Sequence, residues 1–167
     1  VVRPSGASAD IGAFIGRHYS GTITNCYSTG TVMIGGSNPG NRGFTGSVGT
    51  TYTQENIFWD TEASGQTSSA GLATGKTTAE MNNVATFTSL STSGLTNPWD
   101  FVGNPNDDVG VNDYWNIHSS LNDGYPYLNW EYRLPVEAPA NLALTISGTD
   151  VIITWDAVTD ATAYLVY

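Results

Sequence analysis

The chain has 167 residues, with 5 Lys and Arg against 15 Asp and Glu, 19 Gly, 7 Pro and one Cys. Charged residues make up 12%, about half the usual share, which argues against a charge-laced helical protein, while 40% hydrophobic residues with five Trp argue against a disordered one. A net charge of −10 disfavours nucleic acid and anionic membrane surfaces, because affinity for either comes largely from neutralising phosphates.

Val1-Val2-Arg3-Pro4 opens the chain without a start methionine or a leader and reads as the interior of something longer. No stretch approaches 18 consecutive apolar residues, so no membrane insertion is expected. The first 58 residues carry Arg3, Arg17 and Arg42 against Asp10 and Glu55, a net of +1, so the remainder holds −11. Within that first stretch, Ile11-Gly12-Ala13-Phe14-Ile15-Gly16 is echoed by Asn41-Arg42-Gly43-Phe44-Thr45-Gly46. The first copy leads to Asn25-Cys26-Tyr27 and the second to Asn56-Ile57-Phe58, with 30 residues between Phe14 and Phe44 and 31 between Asn25 and Asn56.

A period near 30 built from short β-type runs suits one coil of a parallel β-solenoid. Such a coil holds about three strands joined at corners where Gly and Asn supply positive φ. Phe14, Ile23, Cys26, Phe44, Ile57 and Phe58 are then expected to be largely buried, and Asn25 and Asn56 to stack as a ladder of side-chain amides. Gln54 takes the place of Ile23 in the second copy and predicts a weaker inner face there. Further along, Thr77-Thr78-Ala79-Glu80 is a capping box, and little helix is expected outside 78 to 83.

The segments Gly12 to Gly16 and Gly21 to Val32, continued by Phe58-Trp59-Asp60-Thr61-Glu62, Thr74 to Met81 and Asp123-Gly124-Tyr125-Pro126-Tyr127-Leu128-Asn129-Trp130, resemble the GLUG-motif repeats of bacterial surface and secreted proteins. The resemblance covers about residues 9 to 130. It implies an all-β fold, the C-terminal coils of a right-handed parallel β-helix with a capping segment over 1–130, and an extracellular or cell-surface location. Residues 131–138 then form a linker. In 139–167, Pro139, Leu142, Trp155, Tyr164 and Tyr167 resemble the opening half of a fibronectin type III domain, with strands at Val151–Trp155 and Ala161–Tyr167. A full sandwich takes seven strands over about 100 residues, so this part is incomplete.

The candidates for chemistry are few. Gly75-Lys76-Thr77 looks like the end of a phosphate loop, but the first Gly of that motif would fall on Ala70. Asn104-Pro105-Asn106-Asp107-Asp108-Val109-Gly110 with Asp113 gathers oxygen ligands suited to Ca²⁺, yet Val109 and Trp115 occupy the positions where an EF-hand needs Gly and Glu. His18 and His118 are 100 residues apart and read as surface or loop residues, and lone Cys26, with no cation or base beside it, reads as a buried thiol. Asp60 with Glu62 could share a strand face as an acid and base pair, and Asp107 with Asp108 is the other tight carboxylate pair. Trp59, Trp99, Phe101, Trp115, Tyr125, Tyr127 and Trp130 suit covers for the end of a solenoid, with a sugar-stacking ring among them as the alternative.

No catalytic, cofactor-binding or metal-ligating residue is therefore assigned. The expected function is a non-catalytic structural or adhesion module of a larger bacterial surface or secreted protein, with a glycan or a host or cell-surface protein as partner. The competing expectation is a carbohydrate-binding or accessory segment of a secreted polysaccharide- or peptide-cleaving enzyme.

Overall fold

The computed structural model describes residues 1–4, 10–103, 113–132 and 140–157. The protein is built mostly from strands with a few short helices, and it divides into two units, Val1–Tyr132 and Arg133–Tyr167. In the first unit the elements run β1 (Val2–Arg3), β2 (Ile15–Ser28), β3 (Met33–Ile34), β4 (Thr45–Asp60), α1 (Thr61–Ser64), β5 (Thr74–Lys76), α2 (Thr78–Met81), α3 (Val84–Thr88), β6 (Trp115–Asn116) and β7 (Tyr127–Leu128). The second unit contributes β8 (Ala143–Ser147) and β9 (Asp150–Thr154).

Every pairing among β1 to β5 is parallel, in the orders β1-β3 and β2-β4-β5. The repeat seen in the sequence sets the register. Ile15 pairs with Thr45 and His18 with Val48, an offset of 30, whereas Ser20 pairs with Thr51 and Cys26 with Ile57, an offset of 31. The change of offset is a bulge: Gly49 and Thr50 of β4 lie opposite the single residue Tyr19. A Cβ on Gly49 would collide with the Tyr19 backbone, so the bulged position admits only Gly. The mismatch between the two repeat spacings is thus one extra residue in the second copy.

The long strands bend where they leave the extended region. Asn25 (φ 50°) and Asn56 (φ 54°) occupy equivalent corners, and the Asn56 Nδ2 donates to Asn25 Oδ1 at 3.1 Å. Asn tolerates the left-handed backbone better than other residues with side chains, and stacking the two amides satisfies groups that the corner would otherwise strand. Phe14 and Phe44 stack in the same way, with ring centroids 4.5 Å apart and planes inclined by 11°.

Two apolar clusters hold the first unit. Phe44, Ile57 and Trp59 form a small one beneath the β2-β4 sheet. Phe58, Met81, Phe87, Leu95, Trp99 and Phe101 form a larger one, with Tyr27, Val84, Trp115, Ile117 and Tyr125 packed against it. Helices α2 and α3 supply Met81 and Phe87 to that cluster, and each is held at its start by a side-chain cap. Thr77 and Glu80 make the reciprocal capping box, and Asn83 Oδ1 accepts the Ala85 amide.

Several expectations need correction. Phe44, Ile57 and Phe58 are buried, but Phe14 is 51% exposed, and Ile23 and Cys26 are only half-buried. They lie on the edge copy of the repeat, so one side of each lacks a covering neighbour. Gln54 does not weaken the inner face. It is buried, donates to Thr45 Oγ1 at 2.8 Å and accepts the Leu72 amide at 2.9 Å. His18, expected at the surface, is buried on β2 with Nδ1 3.3 Å from Gln54 Nε2 and its ring edge-on to Tyr52. Helix also occurs at 61–64 and 84–88, and β6 pairs with β7 antiparallel.

In the second unit β8 and β9 form an antiparallel hairpin through Gly148-Thr149, with Gly148 at φ 64°. Every residue of both strands is exposed. Tyr164 and Tyr167 lie outside the described residues, and the two strands form no sandwich.

Candidate functional site

The one close carboxylate pair in the described part of the repeat region is committed to structure. Asp60, at the end of β4, caps α1: its Oδ1 accepts the amides of Glu62 and Ala63, each at 2.8 Å. Its Oδ2 accepts the Tyr125 hydroxyl at 2.8 Å, so both oxygens of this fully buried carboxylate are satisfied. Burial pushes the Tyr125 phenol up to about 12, and the Asp60 carboxylate adds to the shift by accepting the proton and repelling a phenolate. Glu62 turns away and accepts the Thr78 amide at 2.9 Å, joining α1 to the start of α2. Both carboxylates are thus engaged by backbone amides, and Asp60 also by the Tyr125 hydroxyl.

The remaining candidates also sit in the scaffold. Lys76 is buried, its Nζ 5.6 Å from the centre of the Phe58 ring rather than over a loop of free amides. The Cys26 thiol donates to the Thr24 carbonyl at 3.1 Å, and burial raises its pKa, so thiolate is scarce. Residues 104–112, which include Asp107 and Asp108, lie outside the described residues. Among the described residues no three His, Cys, Asp or Glu side chains come together to hold a metal, and no helix is long and apolar enough to cross a membrane.

The aromatics divide in two. Trp99, Phe101 and Tyr127 are buried, Trp115 and Tyr125 are half-buried, and Trp59 belongs to the smaller cluster under the sheet. Trp99 lies at the centre, 4.7 Å from both Phe87 and Trp115, and its Nε1 donates to the Asn56 carbonyl at 3.2 Å. The Asn56 side chain in turn accepts the amides of Thr96 and Asn97, so the second corner amide joins the ladder to the segment leading into Trp99. Trp130 is 63% exposed, and Tyr132 and Tyr114 are also open to solvent.

Among the described residues, two surfaces are open to a ligand or a neighbouring segment. The first is the outer side of β2 with the free face of Phe14. The second is a cleft of about 540 Å³ between the α2-α3 junction and the turn at Asn122–Gly124, lined by Asn82, Asn83, His118 and Asp123 among others. Neither was marked in the sequence as a site. Asp123 is legible there only as part of the closing segment, and the left-handed run Asn122-Asp123-Gly124 is the signal that could have singled it out.

Residues 7–33, which include the first copy of the repeat, match the family model of the GLUG motif. The chain is also 31% identical, over 145 residues, to a protein of Evansella cellulosilytica whose name is "Putative Gly-rich membrane protein". That alignment covers 83% of this chain and 14% of the relative, so the chain spans about one seventh of the longer protein's length. No solved structure matches it.

Proposed function

We propose that the chain is a non-catalytic structural or adhesion module of a larger bacterial surface or secreted protein: the C-terminal coils of a right-handed parallel β-helix, followed by the first strands of a fibronectin type III-like sandwich. The observation that carries this reading is the stacking of two repeat copies in parallel register, with the Phe14-Phe44 and Asn25-Asn56 pairs as its ladders. Ladders of this kind extend by addition of like coils, because each coil buries only what its neighbours cover. The edge strand β2 and the open face of Phe14 are suited to one more copy of the same pattern. The GLUG motif and the name of the Evansella relative support association with the cell envelope. The engagement of Asp60 and Glu62 by helix-start amides supports the non-catalytic reading. A glycan or a cell-surface protein is the partner such a module would hold.

Two measurements test the proposal. Protease added to intact cells carrying the full-length protein should release peptides from residues 10–132, and complete protection in cells with digestion in lysate would refute a surface location. Purified protein should show no turnover of polysaccharide or peptide substrates, and turnover abolished by Glu62→Gln would refute the non-enzyme reading.

A further inference from the structure

The cleft between α2-α3 and the turn at Asn122–Gly124 lies apart from the repeat ladders and the Asp60 cap. Its aliphatic wall is Val84 and Ile117, both half-buried and packed against the large aromatic cluster, together with Ala79. Its polar groups come from opposite sides and are of both kinds. His118 Nδ1 accepts the Ser120 amide at 3.2 Å, so the neutral ring carries its proton on Nε2 and can donate from there. Asn83 uses its Oδ1 to cap α3, which leaves its Nδ2 as a donor. Asn82 Nδ2 donates to the Asp123 carbonyl at 3.2 Å, which leaves its Oδ1 as an acceptor, and none of the described hydrogen bonds engages the Asp123 carboxylate.

The turn that presents Asp123 is held in place before any ligand arrives. Asn122, Asp123 and Gly124 are all left-handed, with φ of 48°, 54° and 84°. Asn122 Nδ2 donates to the Tyr27 hydroxyl at 3.0 Å and to the Pro126 carbonyl at 2.9 Å, fixing the turn to the aromatic cluster. A Cβ on Gly124 would lie 2.9 Å from Asn82 Nδ2, so Gly is what lets the two walls approach. Conformational cost of this kind is tolerated where the surrounding structure over-determines it, and a fixed turn spares a ligand the cost of ordering it.

We propose that this cleft binds one hydroxylated pyranose ring of a glycan. Its size falls in the usual range for small-molecule sites. Vicinal hydroxyls both donate and accept: the Asp123 carboxylate and Asn82 Oδ1 take their protons, and Asn83 Nδ2 and His118 Nε2 donate to their oxygens. The C–H face of the ring packs on Ile117 and Val84. An anion is opposed by Asp123 and by the net charge of −10, and a metal finds a single carboxylate in the lining. The inference rests on the glycan-partner part of the proposed function and gives it a site, while the structural role of the coils does not depend on it.

The test is a titration of the whole chain, read at its backbone amides by NMR, with methyl α-D-glucopyranoside, methyl α-D-mannopyranoside, methyl β-D-galactopyranoside and N-acetylglucosamine, and separately with calcium chloride and sodium sulfate. At least one sugar should produce saturable shifts at residues 82–84 and 117–124, with a dissociation constant on the order of millimolar. Asp123→Gly accepts the left-handed backbone and Asn83→Ser keeps the helix cap, so both variants retain the fold while each removes a polar contact. Each should weaken binding roughly tenfold or more. The proposal is overturned by no saturable response to any of the four sugars, by a saturable response at the cleft to calcium or sulfate alone, or by full affinity in Asp123→Gly. Shifts centred on Trp130 would keep the glycan partner and remove the cleft.

Discussion

The repeat pair over residues 11–57 and the aromatic layer over residues 58–128 belong to one unit but are held by different forces. In the repeat pair the work is done by backbone ladders and by matched polar groups: Asn25 with Asn56, and Gln54 with Thr45, His18 and Leu72. In the aromatic layer five buried apolar side chains, Phe58, Met81, Phe87, Leu95 and Phe101, cluster with Trp99, and the polar groups serve mainly as caps. A repeated ladder specifies register and can be extended, but buries little apolar area per copy. A non-repeated aromatic layer buries a great deal and offers no pattern to extend. Stability should therefore be concentrated where the repeat stops.

The strongest way to break that contrast is to remove its centre. Trp99→Ala takes away a fully buried ring that touches Phe87, Trp115, Phe58 and Tyr27 and anchors the Asn56 carbonyl. It should cost about 3 to 5 kcal/mol in urea unfolding. A loss no greater than that of an edge residue would show that the aromatic layer is not the main source of stability.

Next in size is the joint between the two regions, Asp60. Asp60→Asn keeps an acceptor for the α1 amides but weakens the charge-assisted bond from Tyr125, at a cost of about 1 to 3 kcal/mol. The pH dependence follows from Tyr125. Its folded-state pKa of about 12 exceeds the ordinary value near 10, so the folded protein holds the proton more tightly than the unfolded chain. That contribution is fully present below pH 10 and is lost as the pH rises from about 10 to about 12. Tyr125→Phe should be less stable at neutral pH yet show a shallower decline over that interval, with the tyrosinate absorbance by which parent exceeds variant appearing only as the parent unfolds. An equal alkaline decline in both proteins would remove Tyr125 from the account.

Phe14 sharpens the contrast from the other side. It is chemically the counterpart of Phe44, yet one face is open to solvent, so Phe14→Ala should cost about 1 kcal/mol, the value of the ring pair with little area to add. A loss comparable to that of Trp99→Ala would mean that a second molecule covers this face in solution, and the loss would then fall on dilution.

What could be read from the sequence divides along the same line. Phe14 with Phe44 and Asn25 with Asn56 are legible because stacked copies repeat their side chains at fixed spacing, and even the bulge at Gly49 is present as the difference between 30 and 31. Phe14's exposure was illegible, since a repeat shows which residues stack and not which copy is outermost. The burial of Gln54 and His18 has no such signal, because Gln54 is held by Thr45 and the Leu72 amide and His18 by Gln54 and Tyr52, none of which lies at the matching place of the other copy. The capping role of Asp60 does have a sequence signal, an Asp followed five residues later by Gly65, which ends α1 at φ 66°. The cleft joins residues 79–84 to 117–124 across a span with no internal repeat, so nothing in the spacing brings its sides together.

The smallest effects are expected in the second unit, which reverses the logic of the first. Its hairpin has regular register from Ala143-Thr154 to Ser147-Asp150, and a Gly at the first position of its two-residue turn, as a type II′ turn requires. Asn141 Nδ2 also bonds Asp156 Oδ2 at 2.7 Å beside the open end. Local chemistry therefore favours the hairpin, but Leu144, Ile146, Val151 and Ile152 are all exposed, and two strands without a covered apolar face are marginally stable in water. Ile146→Ser should change unfolding free energy by less than about 0.5 kcal/mol. Amide exchange at 143–154 should approach that of an unfolded chain while the amides of 56–60 remain protected. In the full-length protein, a partner sheet for this hairpin would raise protection at 143–154 and make Ile146→Ser costly, because the same side chain would then lose buried area. Strong protection of the hairpin in the chain as it stands would show instead that its apolar residues are covered without any further strands, and the sandwich proposed for this part would lose its basis.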